Sequence, residues 1–163
     1  MSIAAARDGV VQCGVVYDPL LDLMFAARRS QGAICNAERL RVSETDQLAD
    51  AMVLLDWPRE SAPRKAMADM LWRIVPEVDA VRSWGSAAFG MCAVAAGWAD
   101  AYIQLTLQPW DVAAGWLMVE EAGGMVTDLA GGPSSLGQSD WLVSNGRVHA
   151  AVLAHSPRVQ ASA

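Results

Sequence analysis

Charge is scarce in this sequence. Asp, Glu, Lys and Arg together make up 18% of the 163 residues, against 53% hydrophobic ones. What charge there is leans acidic, to a net −6, which excludes the clustered Lys and Arg that a nucleic-acid surface needs. Cysteine is limited to Cys13, Cys35 and Cys92, an odd count with no CxxC or CxxH spacing. A disulfide framework and a cysteine metal site are thereby excluded, and the three read as buried free thiols in a reducing, cytoplasmic setting. Histidine is nearly absent too. His149 and His155 lie six apart, which keeps them off a common helical face, and no Ser-His-Asp or Cys-His signature accompanies them. No apolar run approaches the roughly 18 residues of a membrane helix. The opening MSIAAARDGVV has neither the basic start nor the apolar stretch of a signal peptide. Tryptophan, by contrast, is abundant, with seven residues. With a mean hydropathy of +0.22, that abundance implies a surface meant to be covered.

Two textures follow one another along the chain. Residues 1–45 read as antiparallel sheet: strands over 2–6 and 10–17 flank the Asp8-Gly9 hairpin signal, a further strand spans 23–27, and 32–36 pairs with 39–42 around a tight turn. From residue 46 onward strands alternate with helices, the signature of an α/β unit. Strands are expected over 51–57, 78–83, 101–107, 125–128 and 141–144, and helices over 63–75, 86–97, 110–122 and 146–154. Residues 130–139, rich in Gly, Ser and Pro, form a loop, and the tail after His155 looks disordered. The boundaries are therefore 1–45 for a first sheet and 46–163 for an α/β domain. Nothing within 1–45 can bury a face of that sheet.

Two stretches could carry chemistry. In QPWDVAAGWLMVEEAGG, 108–124, apolar residues cover a helix nearly all round and Gly123-Gly124 stops it. Asp111 at its start satisfies orphan N–H groups and suits the helix dipole. The same carboxylate could equally hold a hard cation, which asks for several oxygen ligands. In RSWGSAAFGMCAVAAGWAD, 82–100, Gly85-Ser86-Ala87 places small residues and a capping serine at a helix start, where free N–H groups can serve as a simple cap or receive a phosphate or sugar hydroxyl. Glu120 and Glu121 read as structural.

Taken together, R-x-x-G-S-A-A, V-A-x-G-x-x-D, P-W-D-x-A-A-G and E-A-G-G resemble the inositol monophosphatase family. So do GVVYDPLLDLMFAARRSQGAICNAERLRVSE and the closing DWLVSNG with His149. The resemblance covers practically the whole chain. It implies Mg²⁺-dependent, lithium-sensitive phosphomonoesterase chemistry, with two or three metals held by a Glu on an early helix, the two Asp of a D-P-[LI]-D-G-[TS] loop and the Asp of P-W-D. Only the last has a counterpart here, Asp111, because the resemblance begins just after that loop. Asp18-Pro19-Leu20-Leu21-Asp22 is a decoy, with one residue too many between its carboxylates and no Gly-Thr. The resemblance also implies that Gly85, Ser86 and Ala87 bind substrate. Gln104 stands where the family often has a sugar-binding Glu, so it hydrogen-bonds without charge and weakens the case for inositol.

The expectation is an α/β, inositol-monophosphatase-like fold lacking its first helical layer: an antiparallel β remnant plus a complete C-terminal α/β layer. The expected activity is weak or altered metal-dependent hydrolysis of phosphoric esters, with Mg²⁺, or alternatively Mn²⁺ or Zn²⁺, at Asp111 and a small phosphorylated molecule as substrate. A rebuilt site could recruit Asp18, Asp22 or a partner chain. The alternatives are a non-catalytic binding chain and a half-enzyme completed by a second polypeptide. A missing layer would uncover Ile3, Val11, Cys13, Val15 and Phe25. At about 25 cal/mol per Å², leaving a few hundred Å² wet costs several kcal/mol, so a homodimer through that face is expected. No nucleic-acid or membrane partner is expected.

Overall fold

A computed structural model describes residues 1–157; the tail after Pro157 lies outside the described residues. Two five-stranded sheets enclose one pair of helices, and a second pair covers the far side. The first sheet is an antiparallel meander of β1 (Ser2–Arg7), β2 (Val10–Asp18), β3 (Leu23–Arg28), β4 (Gly32–Cys35) and β5 (Glu38–Arg39) in sequence order. Its last strand is only two residues long: the Leu40 N–H still bonds the Ala33 carbonyl of β4, and beyond it the Val42 N–H bonds the Ala122 carbonyl. The second sheet runs in the order β7 (Ala80–Arg82), β6 (Met52–Leu55), β8 (Ala101–Gln104), β10 (Trp141–Ser144), β9 (Met125–Thr127). Strands β7, β6 and β8 are mutually parallel, whereas β10 is antiparallel to both its neighbours.

The strands of the second sheet read MVLL, AYIQ and WLVS without polar alternation because both faces are covered. Leu54, Tyr102, Trp141 and Val143 face α2 (Ala87–Ala95) and α3 (Pro109–Glu121). Val53, Leu55, Ile103 and Leu142 face α1 (Ser61–Ile74) and α4 (His149–Ala154) through Met67, Met70, Ile74 and Val152. Helix α3 is buried over most of its surface because it serves both sheets, touching β1–β4 on one side and β9 and β10 on the other. Two glycines permit that closeness. A Cβ on Gly14 of β2 would stand 2.8 Å from the Ala114 backbone, and one on Gly115 would stand 2.6 Å from Cβ of Met91 in α2.

The first sheet is therefore not left without a partner. Although residues 1–45 hold no helix, α2 and α3 cover one of its faces, burying Val11, Val16, Phe25, Ala27 and Ala33. This corrects the expected uncovered set: Val11 and Phe25 are fully buried, whereas Ile3 and Val15 are 62% and 39% exposed. A bulge in β2 separates Val11 from Cys13 and Val15, while Phe25 faces inward opposite buried Val16. Ala5 pairs with Cys13 and Ala6 with Val11, so Gln12 is skipped, and Val11 and Cys13 face opposite ways. Cys13 consequently departs from the buried-thiol expectation, being exposed, while Cys35 and Cys92 are buried. On the outer face Ile3, Val15, Ala26 and Ile34 pair in one row across four strands. No helix of the described residues is long and apolar enough to cross a membrane.

Behind the second sheet, His149 links three elements. The Thr127 hydroxyl donates to the Asp128 carbonyl at 2.7 Å, so it accepts from His149 Nε2–H at 3.0 Å. Nδ1 then accepts the Ser144 hydroxyl at 2.7 Å, and that oxygen accepts the Gly146 N–H. Burial holds the ring's pKa below the ordinary value of 6.5, which favours this neutral form. Because the folded value is the lower one, this contribution to stability is complete above about pH 6.5 and is lost as pH falls toward the depressed value. Thermal melts are expected to give a Tm that falls between pH 6.5 and 5, with a shallower slope in His149→Gln; equal slopes would contradict this assignment.

Candidate functional site

The carboxyl ends of β6, β7 and β8 lead directly into Asp56, Ser83 and the loop after Gln104, and the N-termini of α2 and α3 open beside them. Parallel strands in open α/β sheets present their ligand sites at this end. A cleft of about 860 Å³ lies here, and its walls include Gly85, Ser86, Ala87, Gln104 and Asp111. All five residues singled out in the sequence meet in it.

At the α2 end, Ser86 is the N-cap and its Oγ accepts the Phe89 N–H at 3.4 Å. Gly85 adopts φ +71°, a conformation that glycine reaches without a steric penalty, and its N–H donates to Asp56 Oδ1 at 2.7 Å. Asp56 is the residue that the sequence did not reveal. At 8% exposure its carboxylate also accepts the Ser83 hydroxyl at 2.8 Å and the Tyr102 hydroxyl at 3.2 Å. One buried carboxylate thereby ties β6, β7 and β8 to the start of α2. Burial, then the charge and hydrogen bond of Asp56, then the charge of Asp111 raise the Tyr102 phenol well above its ordinary value, keeping it a neutral donor. The available signal was position alone: an acid immediately after an apolar strand.

Gln104 is 7% exposed, and its Oε1 is buried without a hydrogen-bond partner among the described residues. An unpartnered buried acceptor costs about 1–3 kcal/mol. A ligand hydroxyl donating to it would recover that loss.

Asp111 occupies the third position of α3 and closes a capping box, its Oδ2 accepting the Gln108 N–H at 3.0 Å. Its second oxygen is available to the cleft. Mg²⁺ takes about six oxygen ligands, and even with retained waters a two-ion site needs several carboxylates. Asp56 is already committed to three donors, and no group of three His, Cys, Asp or Glu suited to holding an ion occurs among the described residues. These residues do not fit the ion pair that the resemblance implies. Asp18 and Asp22 do not complete it. They are absent from the walls of this cleft, Asp18 accepting the Leu20 and Leu21 N–H groups and Asp22 the Tyr17 hydroxyl. Glu120 accepts from Arg29 and Trp116, and Glu121 caps the β3–β4 turn at Ser30 and Gly32, so both are structural as expected.

A sequence model of the inositol monophosphatase family matches residues 1–161. The chain belongs to that family. Human inositol monophosphatase 1 is 33% identical over 98% of this chain, and the Nus factor SuhB of Pasteurella multocida is 39% identical over 83% of it. The crystal structure of the extragenic suppressor protein suhB of Bartonella henselae superposes with a TM-score of 0.92 at 34% identity, covering 98% of this chain. The chain spans 58% of the human relative, 51% of the Pasteurella one and 61% of the Bartonella chain. The two-sheet architecture is thus the inositol monophosphatase fold, present over about six-tenths of the Bartonella protein's length.

Proposed function

We propose that the cleft binds a small phosphorylated molecule and that the chain is a phosphoric-ester hydrolase of weak activity. The observation that carries this reading is Gln104, whose buried, unpartnered Oε1 awaits a hydroxyl donor inside a cleft bounded by two helix N-termini. The backbone N–H groups of Ala87 and Ala88 precede the first intrahelical bond of α2 and suit a phosphate or hydroxyl oxygen. Asp111 supplies one carboxylate oxygen. Its family counterparts support a metal dependence, and the single carboxylate supports turnover far below that of a complete site. Hydrolysis of chromogenic phosphate esters, measured with Mg²⁺, Mn²⁺, Zn²⁺ or chelator, tests this. Weak turnover that requires metal and disappears in Asp111→Ala is the expected result. Loss of the capping interaction alone costs about 1 kcal/mol, so the variant stays folded. Turnover unchanged by chelator or by the variant would contradict the assignment.

A second reading, a non-catalytic binding chain, is favoured by the same shortage of carboxylates; in the assay above it gives no turnover with any metal. The apolar row Ile3, Val15, Ala26 and Ile34 supports a homodimer built on the outer face of the first sheet. Light scattering at the monomer mass, 17.4 kDa, would contradict the dimer.

A further inference from the structure

A second groove, of about 810 Å³, runs beside the cleft, and the two share Ser2, Ser86 and Ala88 in their walls. They differ in chemistry. The cleft presents the polar groups of Asp56, Gln104 and Asp111, with Trp57 and Trp110 also in its wall. The groove has one carboxylate, Asp18, and is otherwise walled largely by apolar and aromatic side chains that include Trp84, Phe89 and Trp98. Trp84 precedes Gly85, and Trp98 follows Gly97, both at positions left open in the motifs R-x-x-G and G-x-x-D. Their rings are held in place. Trp84 and Trp98 pack on Phe89 with centroids 5.5 and 6.4 Å away, and Trp98 meets fully buried Phe25 edge-on at 5.8 Å. Even so packed, the two tryptophans remain 41% and 46% exposed. Core packing accounts for their inner faces and leaves the outer ones uncovered among the described residues.

A flat, rigid aromatic surface gains most from a second ring laid against it, because offset or edge contacts add to simple area burial. This surface begins at Ser86 and Ala88, within one helical turn of the N–H groups that suit a phosphate. We infer that Trp84, Phe89 and Trp98 form a platform for an aromatic ring carried by the same molecule whose polar groups enter the cleft, so that the ligand is a phosphate monoester of an aryl or similarly ring-bearing alcohol. The inference rests on the reading of the cleft as a phosphoric-ester site and narrows it away from bare polyol phosphates.

Phenyl phosphate and glycerol 2-phosphate separate these ideas, since both are phosphate monoesters and only one carries a ring. Calorimetric titration of the full chain is expected to show phenyl phosphate binding roughly tenfold tighter, the scale of one well-placed aromatic contact with its buried area. Trp84→Ala with Trp98→Ala should bring the ratio near one while leaving glycerol 2-phosphate unchanged; the paired Phe substitutions, which keep a ring and guard against misfolding, should retain most of the preference. Equal affinity for the two esters in the unaltered protein would overturn the platform and leave the cleft reading standing. Binding of neither ester would overturn both.

Discussion

Gly115→Val is expected to be the most damaging single substitution outside the cleft, lowering the urea midpoint by the equivalent of about 3 kcal/mol or more. A Cβ at this position would lie 2.6 Å from Cβ of Met91 and 3.0 Å from its sulfur. Moving Met91 away means moving α2, because the clash reaches Cβ as well as the flexible end of the side chain. Helix α3 has no free side to retreat toward, since it is packed between both sheets. Alanine at the same position sets a helix-propensity gain of about 1 kcal/mol against the same contact, so a smaller loss is expected. Gly137→Ala is the control, as its Cβ would meet only Ser135 Oγ at 3.9 Å, and a change within about 0.5 kcal/mol is expected. A valine variant as stable as that control would show that α2 and α3 are not in close contact at Gly115.

The second large effect belongs to Asp56→Ala. Removing the carboxylate leaves the buried Tyr102 hydroxyl without its acceptor and frees the Ser83 hydroxyl and the Gly85 N–H. At about 1–3 kcal/mol for a buried orphaned group, partly relieved by water at the cleft side, a loss of about 2–4 kcal/mol is expected. Ester binding should disappear with it, because the loop that sets the start of α2 is no longer held. Asp56→Asn should be much milder: the amide oxygen still accepts from Ser83 and Gly85, and the Tyr102 hydroxyl can turn to accept from the amide nitrogen. Denaturation and ester titration of both variants check this order. Equal loss in Ala and Asn would point to charge, and not hydrogen bonding, as the property that matters at this position.

Much of this was legible in the sequence, for identifiable reasons. The change from antiparallel strands to strand–helix alternation is periodicity, which survives without any knowledge of contacts. Ser86 as a cap and Gly123-Gly124 as a stop are local chemistry, and the structure places both as read. Gly85, Ser86, Ala87 and Asp111 are visible as helix starts and Gln104 through motif resemblance, and they converge because the motifs end or begin the elements that meet at one edge of the second sheet. What was not legible depends on contacts distant in sequence. The bulge at Gln12 shifts the inside-outside alternation by one residue, which strict period-two reading cannot anticipate, and so Val11 faces inward while Cys13 and Val15 face outward. The cover of the first sheet comes from α2 and α3, far along the chain. Asp56 carries no motif, and its role emerges only when Ser83, Gly85 and Tyr102 fold around it. The aromatic platform was hidden for the opposite reason: Trp84 and Trp98 occupy the unspecified positions of motifs whose fixed residues drew attention.

The central claim is that the cleft at the carboxyl ends of β6, β7 and β8 is the ligand site of this chain. Backbone and side-chain amide NMR of the ¹⁵N-labelled protein, titrated with glycerol 2-phosphate, tests it most directly. The account predicts the largest shifts at the amides of Gly85, Ser86, Ala87 and Ala88 and at the side-chain amide of Gln104. Shifts confined to residues elsewhere, such as the Ser30–Gly32 turn held by Glu121, or a spectrum unmoved by the ester, would contradict it.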